Sequence, residues 1–445
     1  MNSPNIIFFF TDQQRWDTCG CYGQKLNITP NLDKMAQEGI LFENAFTCQP
    51  VCGPARACLQ TGKYPSETGN HTNHTLLPLN EDTIAKILRR NGYEVGYIGK
   101  WHLASFGPIG GPDDFRIKPV PIERRGGYLD YWLASDVLEF TSHSYDGYMF
   151  DSDGNKRFFP EGRYRADAIT DWALEYLETR KLSKPFFLFL SYIEPHHQND
   201  HNCYEGPKGS KDLFKNFEIP GDLLGTEGDW RQNYPDYLGC CNSLDNNLGR
   251  IREKLEKLGI AENTILIFTS DHGSHFRTRN SEYKRSCHDG CTHIPLVIYG
   301  PEFKGGKRFH EMVSLIDIPP TILACGNIKK TDYMRGNPLQ MLIHGTETKW
   351  PDDVYIQISE SHTGRAIRTH KWKYSVRAPH LDGNAGFSRI YKEDFLYNLE
   401  EDPHEKNNLI SNSNYSTIKK ELKERLLKHM REANEPEAKI IDFEE

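Results

Sequence analysis

The sequence predicts a doubly wound α/β sheet covered by helices on both faces, with a small α+β unit at its C-terminal end. Three observations carry that reading. First, four apolar runs, "NIIFFF" (5–10), "EVGYIG" (94–99), "PFFLFLSYI" (185–193) and "NTILIFTS" (263–270), are rich in β-branched and aromatic residues and show no polar alternation. Such runs are the mark of strands buried on both faces of a parallel sheet. Second, helical stretches separate them. Third, the texture changes past about residue 350, where short alternating segments replace the long apolar runs.

Each run leads into polar residues. "NIIFFF" is followed by Thr11-Asp12-Gln13-Gln14, "EVGYIG" by Lys100-Trp101-His102, "PFFLFLSYI" by Glu194-Pro195-His196-His197, and "NTILIFTS" by Asp271-His272-Gly273. Thr29-Pro30 reads as an N-cap with proline at the first helical position, ahead of "NLDKMAQEGI". "EDTIAKILRRNG" ends in Asn-Gly, a helix stop. "RADAITDWALEYLETRK" and "DYLGCCNSLDNNLGRIREKLEKLG" carry apolar residues at helical spacing. Strands alternating with helices build an open α/β sheet, and ligands of such sheets bind outside the carboxyl ends of the strands. Beyond the change of texture, "DVYIQISE", "RAIRTHKWKYSV" and "DFLYNL" read as short strands, and "STIKKELKERLLKHMREAN" as a closing charged helix. The boundary falls near 345–352, giving a large unit over 1–350 and a small one over 351–445.

The composition is that of a water-soluble globular chain: 445 residues, 37% hydrophobic, 26% charged, with a formal net charge of -8. A net negative chain without a basic stripe is not a general nucleic-acid binder. It can still hold an anionic small molecule, because a local group of Lys and Arg acts inside a negative protein. The start, "MNSPNIIFFFTDQQ", lacks the basic region and apolar core of a signal peptide. No stretch reaches membrane-spanning length. The expectation is a cytoplasmic chain with no membrane association, or a periplasmic or secreted one if a leader was removed. Eleven cysteines, an odd number without a secreted disulfide spacing, agree with that.

Asp12 and the pair Asp271-His272, at the ends of two strands, admit two readings. They cap the following helices, or they converge on one divalent cation, where oxygen-rich ligation favours Ca²⁺ or Mg²⁺. Arg56, Lys63, Lys100, His102, His196, His197 and Lys284 are each ordinary surface charges or loop histidines when taken singly. Three of them, Lys100, His102 and His196, follow buried strands directly, and basic groups gathered at that edge suit a tetrahedral oxyanion. Cys52 opens "CGPARACLQTG", a helix with Pro54 in its first turn. There the free N–H groups and the dipole would lower a thiolate pKa, the alternative being a buried structural cysteine. "CHDGCTH" (287–293) offers Cys287, His288, Cys291 and His293, but a second ligand pair at regular spacing is missing, which argues against zinc.

These segments together resemble the type I sulfatases, a family of the alkaline phosphatase-like superfamily. Cys52, Pro54, Ala55, Arg56, Thr61 and Gly62 match the family's signature. "PNIIFFFTDQQ", "GYEVGYIGKWHL", "YIEPHH", "FTSDHG" and "EYKRSCHDGCTHIPLVIYGP" are similar to its other site segments, so the resemblance covers most of the chain. It implies an alkaline-phosphatase-like fold with a small C-terminal sheet domain. It also implies hydrolysis of a sulfate ester, on a sugar, through Cα-formylglycine made from Cys52 by a formylglycine-generating maturation enzyme. The implied cation, Ca²⁺ foremost and Mg²⁺ second, falls to Asp12, Gln13, residue 52, Asp271 and His272. Arg56, Lys100, His102, His196 and Lys284 are then the catalytic side chains. Gln13 stands where many members have a second aspartate, as it does in related phosphonate monoester hydrolases and phosphodiesterases, which are the alternative activity. His293 stands where an arginine is frequent, and His197-Gln198-Asn199 departs from the usual continuation, leaving His196 or His197 as the proton donor. Substrate contacts are expected in the loops 103–165 and 198–236, with Trp132, Tyr145, Arg163 and Trp230, and in the C-terminal unit, with His362, Arg365 and His380.

Overall fold

In the computed structural model, which describes residues 3–180, 183–346 and 349–443, the strand Asn5–Thr11 is buried along its whole length. Its side chains alternate between two separate cores. Ile6, Phe8 and Phe10 enter one, and Ile7 and Phe9 enter the other. This is why the run shows no polar alternation: both faces of the strand are covered. Burying each such Phe or Ile is worth roughly 1.5–3 kcal/mol, so the strand stays at the centre of the sheet.

The central sheet has eleven strands among the described residues. Its middle runs Thr264–Ser270, Asn5–Thr11, Phe186–Ser191, Glu94–Lys100 and Tyr131–Ser135, all mutually parallel. The flanks are mixed. Leu296–Tyr299 runs antiparallel to both Thr264–Ser270 and Ile40–Phe46, and Asp146–Asp151 antiparallel to Tyr131–Ser135. Ile40–Phe46 pairs in parallel with Lys307–Ser314 at one edge. The fold is therefore a mostly parallel mixed α/β sheet, and the flanking strands are those that the apolar runs did not announce. Helices Pro30–Glu38, Arg165–Thr179 and Trp230–Lys257 bury one face; Ile84–Arg90 and Ile318–Cys325 lie on the other. The helix expected from residue 236 begins earlier, at Trp230, and carries Pro235 inside it.

Register decides where the strands end. Thr11 pairs with Ser270, Phe10 with Ser191, and Gly99 also with Ser191. The residues that follow, Asp12, Asp271, Tyr192 and Lys100, are thus neighbours in one row. Adjacent strands lie about 4.8 Å apart, so Asp12, Asp271 and Lys100 share one edge with Ser191, while the Tyr192 side chain enters the opposite core. The close approach has a local requirement at Gly99. Its φ is +114°, and a Cβ there would lie 1.8 Å from the Ser191 carbonyl oxygen.

The second sheet has the order Asp353–Ile358, Gly364–Thr369, Trp372–Arg377, Ile390–Asn398 and Lys439–Ile441. "RAIRTHKWKYSV" is two strands of a hairpin. The first three strands are buried almost throughout, not alternately. One face packs under helix Ser416–Glu432 through Leu422, Leu426 and Met430, and the other against Phe46 and Met312 of the large sheet. Part of the expected boundary at 345–352, residues 347–348, lies outside the described residues. No helix among the described residues is long and apolar enough to cross a membrane.

Gly99→Ala is expected to lower the thermal unfolding midpoint by several degrees. The left-handed conformation alone costs about 1–2 kcal/mol, and the strand must also move off Ser191. An unchanged midpoint would show that the Glu94–Lys100 strand does not need that approach.

Candidate active site

The row of strand ends faces the start of helix Cys52–Thr61, every residue of which is buried. Asp12 is the hub. Its Oδ2 accepts hydrogen bonds from Lys100 Nζ at 2.8 Å and from the Arg56 guanidinium at 2.9 Å. Its Oδ1 lies 3.4 Å from Cys52 Sγ. Arg56, one turn along the helix from Cys52, also donates to the Lys100 carbonyl and to Ser191 Oγ, tying three strand ends to one helix. Burial alone would raise the Asp12 pKa, but Lys100, with His196 and Arg56, more than reverses this and holds it well below the usual carboxylate range.

Asp271 is in the opposite state. Its Oδ1 accepts the N–H groups of Gln13 and His272, each at 2.9 Å, while its buried Oδ2 has no hydrogen-bond partner. Burial, and then the neighbouring Asp12 charge, push its pKa up to about 7. Gln13 sits in the left-handed region, φ 71°. Tyr237 donates to its carbonyl and its side-chain NH₂ donates to Tyr204, which leaves Gln13 Oε1 buried without a partner. His272 gives its Nδ1–H to the Gly273 carbonyl at 2.9 Å, so the Nε2 lone pair faces Cys52 Sγ at 3.3 Å. Asp12, Cys52, Asp271 and His272 bring ligand atoms within 4.8 Å of one another. Gln13 Oε1 and Asp271 Oδ2, buried without hydrogen-bond partners and beside the Asp12 carboxylate, fit a hard divalent cation. The bland alternative, helix capping, does not account for them.

Cys52 contradicts the expectation of a lowered thiolate pKa. Burial, and then Asp12, push its thiol up to about 12, despite Lys284 Nζ at 2.8 Å from Sγ. An unmodified Cys52 is therefore a protonated thiol at neutral pH and a poor nucleophile.

Lys284 Nζ also lies 3.3 Å from His196 Nε2 and 3.3 Å from His272 Nε2. Burial works against its charge, and the Cys52 sulfur and Asp12 more than offset it, so its pKa is raised. His196 faces the site, with Nδ1 3.5 Å from Glu139. His197 turns away and stacks on Tyr283 at 4.8 Å. The structure thus selects His196 over His197 as the one that faces the site. His102 is buried at φ 61°, and neither ring nitrogen has a partner. Burial and Lys100 hold it neutral, its pKa well below the usual histidine value.

Several expected contacts belong elsewhere. Trp132 packs in the core against Trp101, and Trp230 is buried beside Phe217. Arg163 pairs with Asp171 at 2.8 Å, and Tyr145 covers Lys208. Arg365 is buried against Glu435 at 2.8 Å inside the small domain, His362 bonds Ser361 Oγ, and His380 is exposed. Lys63 pairs with Glu81. His293 is sandwiched between Trp16 and Phe46 and bonds the Glu43 carbonyl, so it does not join the neighbouring cysteines. The sequence reading missed Asn73, whose Oδ1 accepts the Gly53 N–H at 2.9 Å, and Glu360 and Arg285, which pair at 2.6 Å and hold Asn73. Asn73 and Arg285 follow no buried strand, and Glu360, just past the buried strand Asp353–Ile358, ends a segment expected to alternate, so no spacing signal tied the three to Cys52.

Comparison with known proteins gives the family. Residues 4–328 match the family model described as sulfatase, and residues 282–432 match that of the N-sulphoglucosamine sulphohydrolase C-terminal region. An ulvan-active sulfatase of Formosa agariphila is 30% identical over 455 residues, covering 99% of this chain and 83% of that protein. The chain belongs to the sulfatase family. It is a sulfuric ester hydrolase. An N-acetylglucosamine-6-O-sulfatase of Bacteroides thetaiotaomicron is 26% identical, over 94% of this sulfatase and 85% of the relative. Among solved structures, a Bacteroides fragilis protein named yidJ superposes with a TM-score of 0.84 at 26% identity, covering 98% of this chain and 97% of that one. A phosphonate monoester hydrolase of Agrobacterium radiobacter shares the fold at 21% identity and a TM-score of 0.75, over 97% of this chain and 96% of that one. It is a distant neighbour.

The raised Asp271 pKa predicts proton release on cation binding. Near pH 6 the cation-free protein holds about one proton on this pair and gives it up when the cation enters; above pH 8 it has little to release. Calorimetry in buffers of different ionisation enthalpy measures this, and proton release that is flat with pH would refute the shared carboxylate site.

Proposed function

We propose that this sulfatase cleaves a sulfate ester of a sugar, using formylglycine made from Cys52 and one divalent cation, Ca²⁺ foremost. The observation that carries the reading is the convergence of Lys284, Lys100, Arg56, His196 and the Asp12–Asp271 pair on residue 52. Asp12, Gln13, Asp271 and His272, with residue 52, would hold the cation. When present, the cation draws charge from the sulfate oxygens, and formylglycine supplies the hydroxyl nucleophile that a thiol with a pKa of about 12 cannot replace.

The remaining residues act as follows. Lys284 and Lys100 bind the equatorial sulfate oxygens; Arg56 orients Asp12 and adds positive charge behind it. His196 gives a proton from Nε2 to the leaving alcohol. At rest it is neutral, because burial and the two lysines depress its pKa. An anionic ester lying between them cancels that repulsion, and Glu139 at Nδ1 favours the imidazolium. Both effects charge His196 when substrate arrives. His102, neutral and unpartnered, takes the proton from residue 52 in the step that frees sulfate.

The sugar assignment is supported by relatives named for ulvan and for N-acetylglucosamine-6-O-sulfate. A panel of monosulfated sugars, with an aryl sulfate and a phosphonate monoester in parallel, tests it. Faster turnover of the phosphonate would move the reading to the alternative class.

Cys52→Ala is expected to abolish turnover with the fold intact, and intact mass of the active protein should lie about 18 Da below the unmodified chain. Retained activity removes residue 52 from the reaction. His196→Ala should cost about 10²–10⁴-fold on a sugar sulfate and much less on an aryl sulfate with an acidic leaving group. Equal losses on both would take His196 out of the donor role.

A further inference from the structure

A second group of ligand-type side chains lies outside the active site, where the hairpin at Ser142–His143 meets the loop that follows His196. His143 Nε2 is 2.8 Å from Asp200 Oδ2, and His201 Nε2 is 4.0 Å from the same oxygen. The two imidazoles lie face to face at 4.5 Å. The ligand atoms of His143, Asp200 and His201 all fall within 4.8 Å of one another.

What distinguishes this group from a surface ion pair is its outer layer. Each histidine turns its other nitrogen to a separate carboxylate: His143 Nδ1 to Asp146 at 3.2 Å, and His201 Nδ1 to Glu205. Glu205 is itself held by Ser144 Oγ at 2.6 Å, and Asp200 Oδ1 by Gln198 at 2.7 Å. A carboxylate behind each imidazole fixes the tautomer that presents Nε2 and raises its basicity, which is the arrangement that supports metal-bound histidines. Three carboxylates around two imidazoles also leave the cluster negative. A tetrahedral ion with bonds of about 2.1 Å sets its ligand atoms roughly 3.4 Å apart. The observed 2.8 and 4.0 Å bracket that spacing, and the stacked rings would have to swing apart so that both Nε2 lone pairs point at the ion.

We propose that His143, Asp200 and His201 form a second metal site, for a borderline divalent transition cation such as Zn²⁺, with Asp146 and Glu205 as its outer support. Two imidazoles and one carboxylate suit Zn²⁺ and not the hard cation of the first site. The ion would clamp the loop 196–205 to the hairpin. That loop carries His196, and its Asn199 reaches Glu139 and Tyr283 beside the active site. The clamp therefore acts as a positioning device for the segment that presents His196.

The test is calorimetric titration of the full chain with Zn²⁺ in the presence of excess Ca²⁺ and Mg²⁺, which occupy the first site. The wild type should take up one equivalent that H143A/H201A does not. Glu205→Gln keeps all three ligand atoms and should weaken that event about 10–100-fold, which separates loss of the site from loss of the fold. Hydrogen exchange over 198–205 should slow on Zn²⁺ addition in the wild type only. Equal stoichiometry and affinity in wild type and H143A/H201A would overturn the proposal, as would the absence of a Zn²⁺ equivalent in the wild type.

Discussion

Everything at the active site depends on one buried charge arrangement: the Asp12 carboxylate held between Lys100 and Arg56. None of the three is reached by water to any useful extent. Removing both cations would leave a carboxylate unpaired in a low-dielectric place, and breaking a single buried pair already costs on the order of 3–5 kcal/mol. The pairing also sets the electrostatics around it. With Asp12 held ionised, Asp271 cannot easily ionise as well, and Cys52 cannot become a thiolate. The site is poised for a cation and for a nucleophile that is not sulfur.

The same arrangement explains why the second domain matters to a site it scarcely enters. Lys284 lies in the segment that precedes Asp289, and Asp289 is buried against Arg368 and Lys373 of the small sheet, with Glu405 accepting its N–H. The small sheet thus fixes the far end of the Lys284 segment. Glu360, at the end of the first strand of that sheet, steadies Asn73, which in turn caps the backbone beside Cys52. The domain contributes position, while the large sheet contributes charge.

The fold was legible because its central strands are covered on both sides. Asn5–Thr11 or Thr264–Ser270 must be apolar throughout to sit there, so the sequence carries the signal without ambiguity. The flanking strands Ile40–Phe46 and Leu296–Tyr299 were not announced, because their neighbours, not their own composition, place them in the sheet. The expected alternation in the C-terminal strands failed for a related reason. Both faces of that sheet are occupied, one by its own helix and one by the large domain. Trp132 and Trp230 are expected in loops as substrate contacts, but Trp132 lies on the strand Tyr131–Ser135 and Trp230 opens the helix Trp230–Lys257, and each ring closes a core.

The sequence by itself determined the class of chemistry: acidic and basic residues directly after buried strands, and a cysteine opening a helix beside an arginine. Those are local facts, and parallel strands always bring their carboxyl ends to one edge. Only the tertiary structure decided which of these groups hold charge and which face the site. It raised the Cys52 and Asp271 pKa values, turned His196 into the site and His197 onto Tyr283, and recruited Asn73 and Glu360. Burial and contacts between segments distant along the chain set those outcomes, and neither is written in any single segment.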